Sequence, residues 1–162
     1  MTQARLDIRH AFPPALKAML DLEKYLAGSG LPPELLDLIR LRGSQINGCA
    51  YCIDMHTKDL RARGETEQRL YLLDAWRESP FYSDRERAAL AWTEAVTRVT
   101  DGHVPDDVYE QVRGQFSESE IANLTLAAVS INSWNRLNIA FRTVPGSYQP
   151  AGAGQAATTA RK

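Results

Sequence analysis

Apolar residues recur along this chain at intervals of three and four, and no segment sustains the strict alternation of a half-buried strand. The pattern predicts an all-α fold, a bundle of about six to eight helices. Residues 1–12 read as an arm. Pro13-Pro14 suits a helix start, and Leu16, Met19, Leu20, Leu22 and Leu26 continue it to Gly28-Ser29-Gly30. Pro32-Pro33 opens the next helix, through Leu35, Leu38, Ile39, Leu41 and Ile46, and Asn47-Gly48 stops it. A further helix starts at once and runs through Leu60 to Gly64. Leu70, Leu73 and Trp76 mark another, stopped near Pro80. Ser83-Asp84-Arg85-Glu86 and Ser117-Glu118-Ser119-Glu120 both have the form of a capping box. The first opens a helix through Leu90, Trp92, Val96 and Val99. The second opens a long apolar helix towards Phe141, with Pro145-Gly146 as its end. Between them Asp101-Gly102 turns the chain, and Pro105 starts a short helix with Val108 and Val112.

A chain of 162 residues is long enough for one domain with a real core. Residues 1–148 are expected to form it. Residues 149–162, rich in Ala, Gly and Thr, read as a disordered tail. The net charge is −1 with both signs intermixed, so no basic patch argues for nucleic acid. No apolar run approaches the roughly 20 residues of a membrane span. The N-terminus lacks the apolar stretch of a signal peptide, and a single C-x-x-C suits a reducing cytoplasm better than a secreted disulfide scaffold.

The chemistry concentrates in Cys49-Ala50-Tyr51-Cys52-Ile53-Asp54-Met55-His56, which holds both cysteines of the chain. On a helix, positions 49, 52 and 56 share one face. Just after the Asn47-Gly48 stop, the cysteines fall in the first turn of a new helix. Unpaired N–H groups and the positive dipole end favour a thiolate there. An imidazole beside a dithiol can accept a thiol proton, and the second thiol can close a disulfide on the first. Haem attachment would need histidine in place of Ile53. A structural zinc site wants four ligands, and Cys49, Cys52 and His56 make three, with His10 and His103 at no ligand-like spacing. Two inert buried cysteines remain the bland alternative.

The run Ser44-Gln45-Ile46-Asn47-Gly48-Cys49-Ala50-Tyr51-Cys52, with His56 following, resembles the core motif of the AhpD-like alkylhydroperoxidases of the carboxymuconolactone decarboxylase family. The resemblance is strongest over residues 30–100. It implies an AhpD-like helical fold, a homo-oligomer built of trimers or dimers of trimers, and thiol-based reduction of hydrogen peroxide or organic hydroperoxides. It makes Cys52 the peroxidatic residue, Cys49 its resolving partner and His56 the relay histidine. It implies no metal or bound cofactor, and an external dithiol, a lipoyl-bearing protein or a small thiol, as reductant. Where the family has a glutamate twelve residues before the first cysteine, this chain has Asp37, one methylene shorter. Glu34, one turn earlier, is a weaker candidate for the same role.

Two rivals use the same dithiol: a redox-sensing or binding protein with a disulfide switch, and a protein thiol–disulfide oxidoreductase. Elsewhere, Asn132-Ser133-Trp134-Asn135-Arg136 is a polar cluster inside an apolar helix. Buried polar groups need partners, so it either faces the dithiol or lies on an exposed face. Ser130-Ile131-Asn132 also echoes Ser44-Gln45-Ile46-Asn47. Trp76, Phe81, Tyr82, Trp92 and Trp134 are expected in the core and at subunit contacts, and His103 at the surface.

Overall fold

The computed structural model describes residues 3–150. Among them it contains eight α-helices, one 3₁₀ turn and no strand. They are α1 (Ile8–Ala11), α2 (Pro13–Ala27), α3 (Pro33–Asn47), α4 (Ala50–Ala62), α5 (Glu67–Leu72), the 3₁₀ turn (Leu73–Ala75), α6 (Asp84–Thr97), α7 (Asp106–Arg113) and α8 (Glu118–Phe141). The expected tail lies outside the described residues, except for Gln149 and Pro150.

The punctuation acts as its chemistry requires. Prolines occupy the first turns of α2 and α3, where no N–H partner is lost. Both capping boxes close reciprocally, Ser83 with Glu86 and Ser117 with Glu120. Four boundaries differ from the sequence pattern. Asp7 caps a single helical turn, α1, within the expected arm, by accepting from the Arg9 N–H. The Leu70–Trp76 helix breaks at Leu72 into the 3₁₀ turn. α6 ends at Thr97, leaving Val99 exposed. α8 ends at Arg142, in the left-handed region at φ 55°, before Pro145-Gly146 is reached. α1 is a turn added by its cap; in the other three the helix ends or breaks before the sequence pattern does.

α3 lies at the centre and packs against α4, α6 and α8. Its Leu35, Leu36, Leu38, Ile39 and Leu41 are all buried, so it is apolar on nearly every side. Gly43 lets α8 come close: a Cβ there would meet the Ile131 side chain at 3.0 Å. One apolar lobe gathers α2, α6, α7 and α8 around Leu26, Ile39, Trp92 and Leu124. A second gathers α4, α5 and α6 around Leu41, Leu60, Leu73 and Leu90. Trp76, Tyr82 and Trp92 are in the core as expected, whereas Phe81 is 47% exposed.

One charged network is buried beside α3. Glu94 accepts from Arg42 Nε at 2.7 Å, Trp76 Nε1 at 2.9 Å and Arg77 at 2.5 Å. It ties α3, α6 and the 3₁₀ turn together at the end of α3 that leads into the cysteines.

Candidate active site

The α3–α4 junction sets the thiol positions. Gly48 is left-handed at φ 68°. Its N–H bonds the Gln45 carbonyl at 3.1 Å, and the Cys49 N–H bonds that of Ser44 at 3.0 Å. This pair of bonds is a Schellman motif. A side chain at position 48 would meet nothing within 4 Å, so its cost is the backbone conformation alone, about 1–2 kcal/mol. Cys49 is then the N-cap of α4, and its carbonyl accepts the Ile53 N–H at 2.9 Å. Cys52 follows at the third helical position. Both thiols are free and buried, each about 1% exposed.

The two thiols cluster with Ile131, and each acts on the other's acidity. The Cys52 thiol donating to Cys49 is the largest influence on Cys49. Together with the Cys52 and Tyr51 N–H groups and the Asn135 amide it outweighs burial, and Cys49 falls to about 7. Cys52 is pushed far up, first because its proton is held by Cys49, then by burial. The Asn138 amide, 3.4 Å from the Cys52 sulfur, and Asn135 only soften that rise. The two shifts run in opposite directions, down for Cys49 at the N-cap of α4 and up for Cys52.

His56 lies one turn beyond Cys52 on the same face of α4 and is 6% exposed. Burial, then the nearby Arg40 charge, lowers it to about 3, so the imidazole is neutral at physiological pH. Neither ring nitrogen has a hydrogen-bond partner among the described residues. The expected contact with Asp37 is close but incomplete: His56 Nδ1 stands 3.9 Å from Asp37 Oδ1. Asp37 is committed elsewhere. Its Oδ1 receives Arg40 at 3.3 Å and its Oδ2 receives Arg63 at 2.9 Å. Burial outweighs both arginines and holds the Asp37 carboxyl above the usual carboxylate range. Glu34 is exposed and lines a separate shallow pocket with Ser83 and Arg85, away from the cysteines, so it does not share this position.

Cys52, His56, Asp37 and Tyr51 open on a cavity of about 970 Å³. Leu16, Leu20, Met55, Ile131 and Trp134 supply much of its apolar wall. The N-terminal arm closes one side through Leu6 and Ile8, and the segment after α8 closes another through Val144 and Tyr148. That segment is strapped to α4: Asp54 accepts the Gly146 N–H, Lys58 donates to the Tyr148 carbonyl, and the Tyr148 hydroxyl donates to Asp59 at 2.7 Å. Cys49 is not in the cavity wall.

Trp134 and Asn135 of the α8 polar cluster face the dithiol, while Arg136 is exposed. Asn135 is fully buried, donates to Ser44 Oγ at 3.0 Å and accepts from Asn47 at 2.9 Å. Asn47 also bonds Asn132, so the two echoing segments meet in space. The pattern reading missed Asn138, Arg40, Arg63, Glu23 and Tyr148. Asn138 was legible as a continuation of the Trp134-Asn135 side of the helix, at i+3 from Asn135. The others are charged or aromatic residues at ordinary helical spacing or in a loop, and only the fold brings them together.

The model of the carboxymuconolactone decarboxylase family matches residues 13–95. The Bacillus subtilis protein YdfG is 48% identical over 136 residues, which span 84% of this chain and 92% of that protein. A protein of unknown function from Agrobacterium tumefaciens, with a suggested antioxidant-defence role as AhpD, superposes with a TM-score of 0.87 at 44% identity. The match covers 90% of this chain and all of that one. The debrominase Bmp8 superposes with a TM-score of 0.71 at 22% identity, over 83% of this chain and 73% of its own, a likeness of fold.

Proposed function

We propose that this chain, which belongs to the carboxymuconolactone decarboxylase family and has an AhpD-like fold, is a thiol-dependent peroxidase. The observation that carries the reading is the placement of Cys52. Its sulfur is in the cavity wall, one turn from an unpartnered neutral imidazole and in contact with the only other thiol.

The Cys52 proton passes to the Cys49 thiolate along the contact between them, which puts the charge on the sulfur facing the cavity. Cys52 attacks the peroxide oxygen, the O–O bond breaks, and Cys52 becomes a sulfenic acid. The leaving oxygen takes a proton from one nitrogen of neutral His56 as the protonated Asp37 carboxyl, whose proton affinity burial raises, gives its proton to the other nitrogen; solvent then reprotonates Asp37. Cys49 then attacks the sulfenic sulfur, forming the Cys49–Cys52 disulfide and releasing water. An external dithiol, protein-borne or small, reduces the disulfide and restores both thiols. The resting preference for charge on Cys49 fits the second step, because the resolving thiol is the more acidic one. We extend the proposal to a homo-oligomer, trimeric or hexameric, which light scattering at micromolar concentration tests; a stable monomer contradicts it.

Two outcomes test the relay. His56→Leu removes the imidazole at similar volume. It is expected to slow peroxide reduction by about 10²–10⁴. It also changes the pH dependence of stability. An unfolded histidine titrates near 6.5 and the folded one near 3, so the unfolded chain binds the extra proton between these values. The native protein therefore loses stability as pH falls from about 6.5 towards 3. Denaturation against pH should show a flatter slope in His56→Leu over that window. An unchanged slope and rate would make His56 a packing residue.

Asp37→Glu restores the methylene that the family pattern has and this chain lacks. The 3.9 Å separation from His56 exceeds a hydrogen-bond length by about 1 Å, which one methylene can close. Turnover is expected to hold or rise, and Asp37→Ala to lower it less than His56→Leu does. A fall in Asp37→Glu as deep as in Asp37→Ala would show that the carboxylate serves the arginines alone.

A further inference from the structure

Glu23, on α2, reaches the same cavity from the opposite wall. Its Oε2 accepts from Arg40 at 2.6 Å. Its Oε1 accepts from the Ser130 hydroxyl at 2.5 Å and from Trp134 Nε1 at 3.0 Å. The carboxylate thus joins α2, α3 and α8 around the dithiol, since Trp134 packs against the Cys49–Cys52–Ile131 cluster.

Arg40 is shared unequally. It makes a short bond to Glu23 at 2.6 Å and a long one to Asp37 Oδ1 at 3.3 Å. That same Asp37 oxygen faces His56 Nδ1. The other Asp37 oxygen is held by Arg63. Oδ1 is therefore the one carboxylate oxygen that Arg40 and the imidazole compete for, and Glu23 draws the guanidinium the other way.

We propose that Glu23 is a positioning residue of the dithiol site: by holding Arg40 it keeps Asp37 Oδ1 open to His56. Without it, Arg40 closes on Asp37 and occupies the oxygen the relay uses. The charge balance changes with it. The charged groups lining the cavity are Asp7 and Arg9 from the arm, Glu23 from α2, Asp37 and Arg40 from α3, and Asp59 and Arg63 from α4. From α8, the neutral amides of Asn135 and Asn138 face the sulfurs, and Tyr148 faces Asp59. The lining thus holds four acidic side chains against three arginines. Loss of Glu23 removes one negative charge, which favours a thiolate and disfavours an imidazolium.

This rests on the peroxidase reading above, and the test separates the two. Glu23→Gln is the decisive variant. Its amide oxygen can still accept from Ser130 and Trp134, so the packing bonds stay while the anchoring charge goes. Peroxide turnover is expected to fall about ten-fold. The pH midpoint of thiol alkylation by iodoacetamide is expected to move down by roughly half a unit. More thiolate with less turnover is a signature that general loosening of the fold does not give. In an Arg40→Gln background, Glu23→Gln is expected to add little, because both act through one guanidinium. Wild-type turnover and an unmoved alkylation midpoint in Glu23→Gln would overturn the assignment, as would additive losses in the double variant. If the double variant does not fold, the alkylation midpoint of Glu23→Gln decides alone. A wild-type protein that turns over no peroxide removes the peroxidase reading, and the alkylation midpoint still decides whether Glu23 sets the charge of the site.

Discussion

Cys52→Ala is expected to abolish peroxide turnover, by about 10³-fold or more, as loss of a nucleophile does. Cys49→Ser is expected to differ in kind. Cys52 remains in the cavity wall and can attack once, so the variant consumes one equivalent of peroxide per chain and stops. Its product is a Cys52 sulfenic acid, which dimedone traps and mass spectrometry locates. If the two variants behave alike, both consuming peroxide or neither, then the sulfurs have not divided the roles in this way. If Cys49→Ser is dead and Cys52→Ala reacts once, the roles are reversed. The thiolate resting on Cys49 would then be the attacking one.

The largest stability effect is expected at Glu94, far from any substrate. Glu94→Ala leaves Arg42, 5% exposed, without its buried partner and leaves the Trp76 N–H unpaired. Breaking one side of a buried ion pair costs about 3–5 kcal/mol. At about 2–4 °C per kcal/mol for a chain of this size, the melting temperature should fall by roughly 10 °C. The pH sign supports the same role. Burial alone would raise the Glu94 carboxyl, but Trp76, Arg77 and Arg42 together hold it below its usual range. Its stabilisation is present above the unfolded carboxylate value of about 4.3 and is lost as pH falls through the lower folded value. This adds to the acid sensitivity from His56. Chemical denaturation at pH 7, pH 5 and pH 3 measures both, the first interval reading His56 and the second adding Glu94. A Glu94→Ala protein as stable as wild type would mean that Arg42 is satisfied by Asp74 and Gln45, its other partners.

Much of this was legible in the chain because it is written in local chemistry. Asn47-Gly48 before Cys49 fixes a helix stop and a helix start in three residues, and the structure places both there. The capping boxes and the prolines fix other starts for the same reason. Helix ends were less legible where apolar spacing ran on, as at Val99 and Leu73, because spacing reports burial and not hydrogen bonding. The Cys49–Cys52–His56 face followed from helical periodicity, and the polar cluster on α8 followed from the cost of burying amides. The acidity of the two thiols did not follow. The dipole argument applied to both, and only their mutual influence in the folded site separates them. The Glu23–Arg40–Asp37 chain was illegible for a different reason. Its members are ordinary charged helix residues in sequence, and only the packing of α2 and α8 on α3 turns them inward.

The most direct test of the account is peroxide consumption by the purified protein with a dithiol in excess, followed by mass analysis of the oxidised chain. The account predicts many equivalents consumed per chain, and a loss of two hydrogens within the one peptide that holds Cys49 and Cys52 when the dithiol is withheld. Consumption of a single equivalent would make the pair a switch and not a catalyst, and thiols that stay free after peroxide would contradict the two-cysteine mechanism altogether.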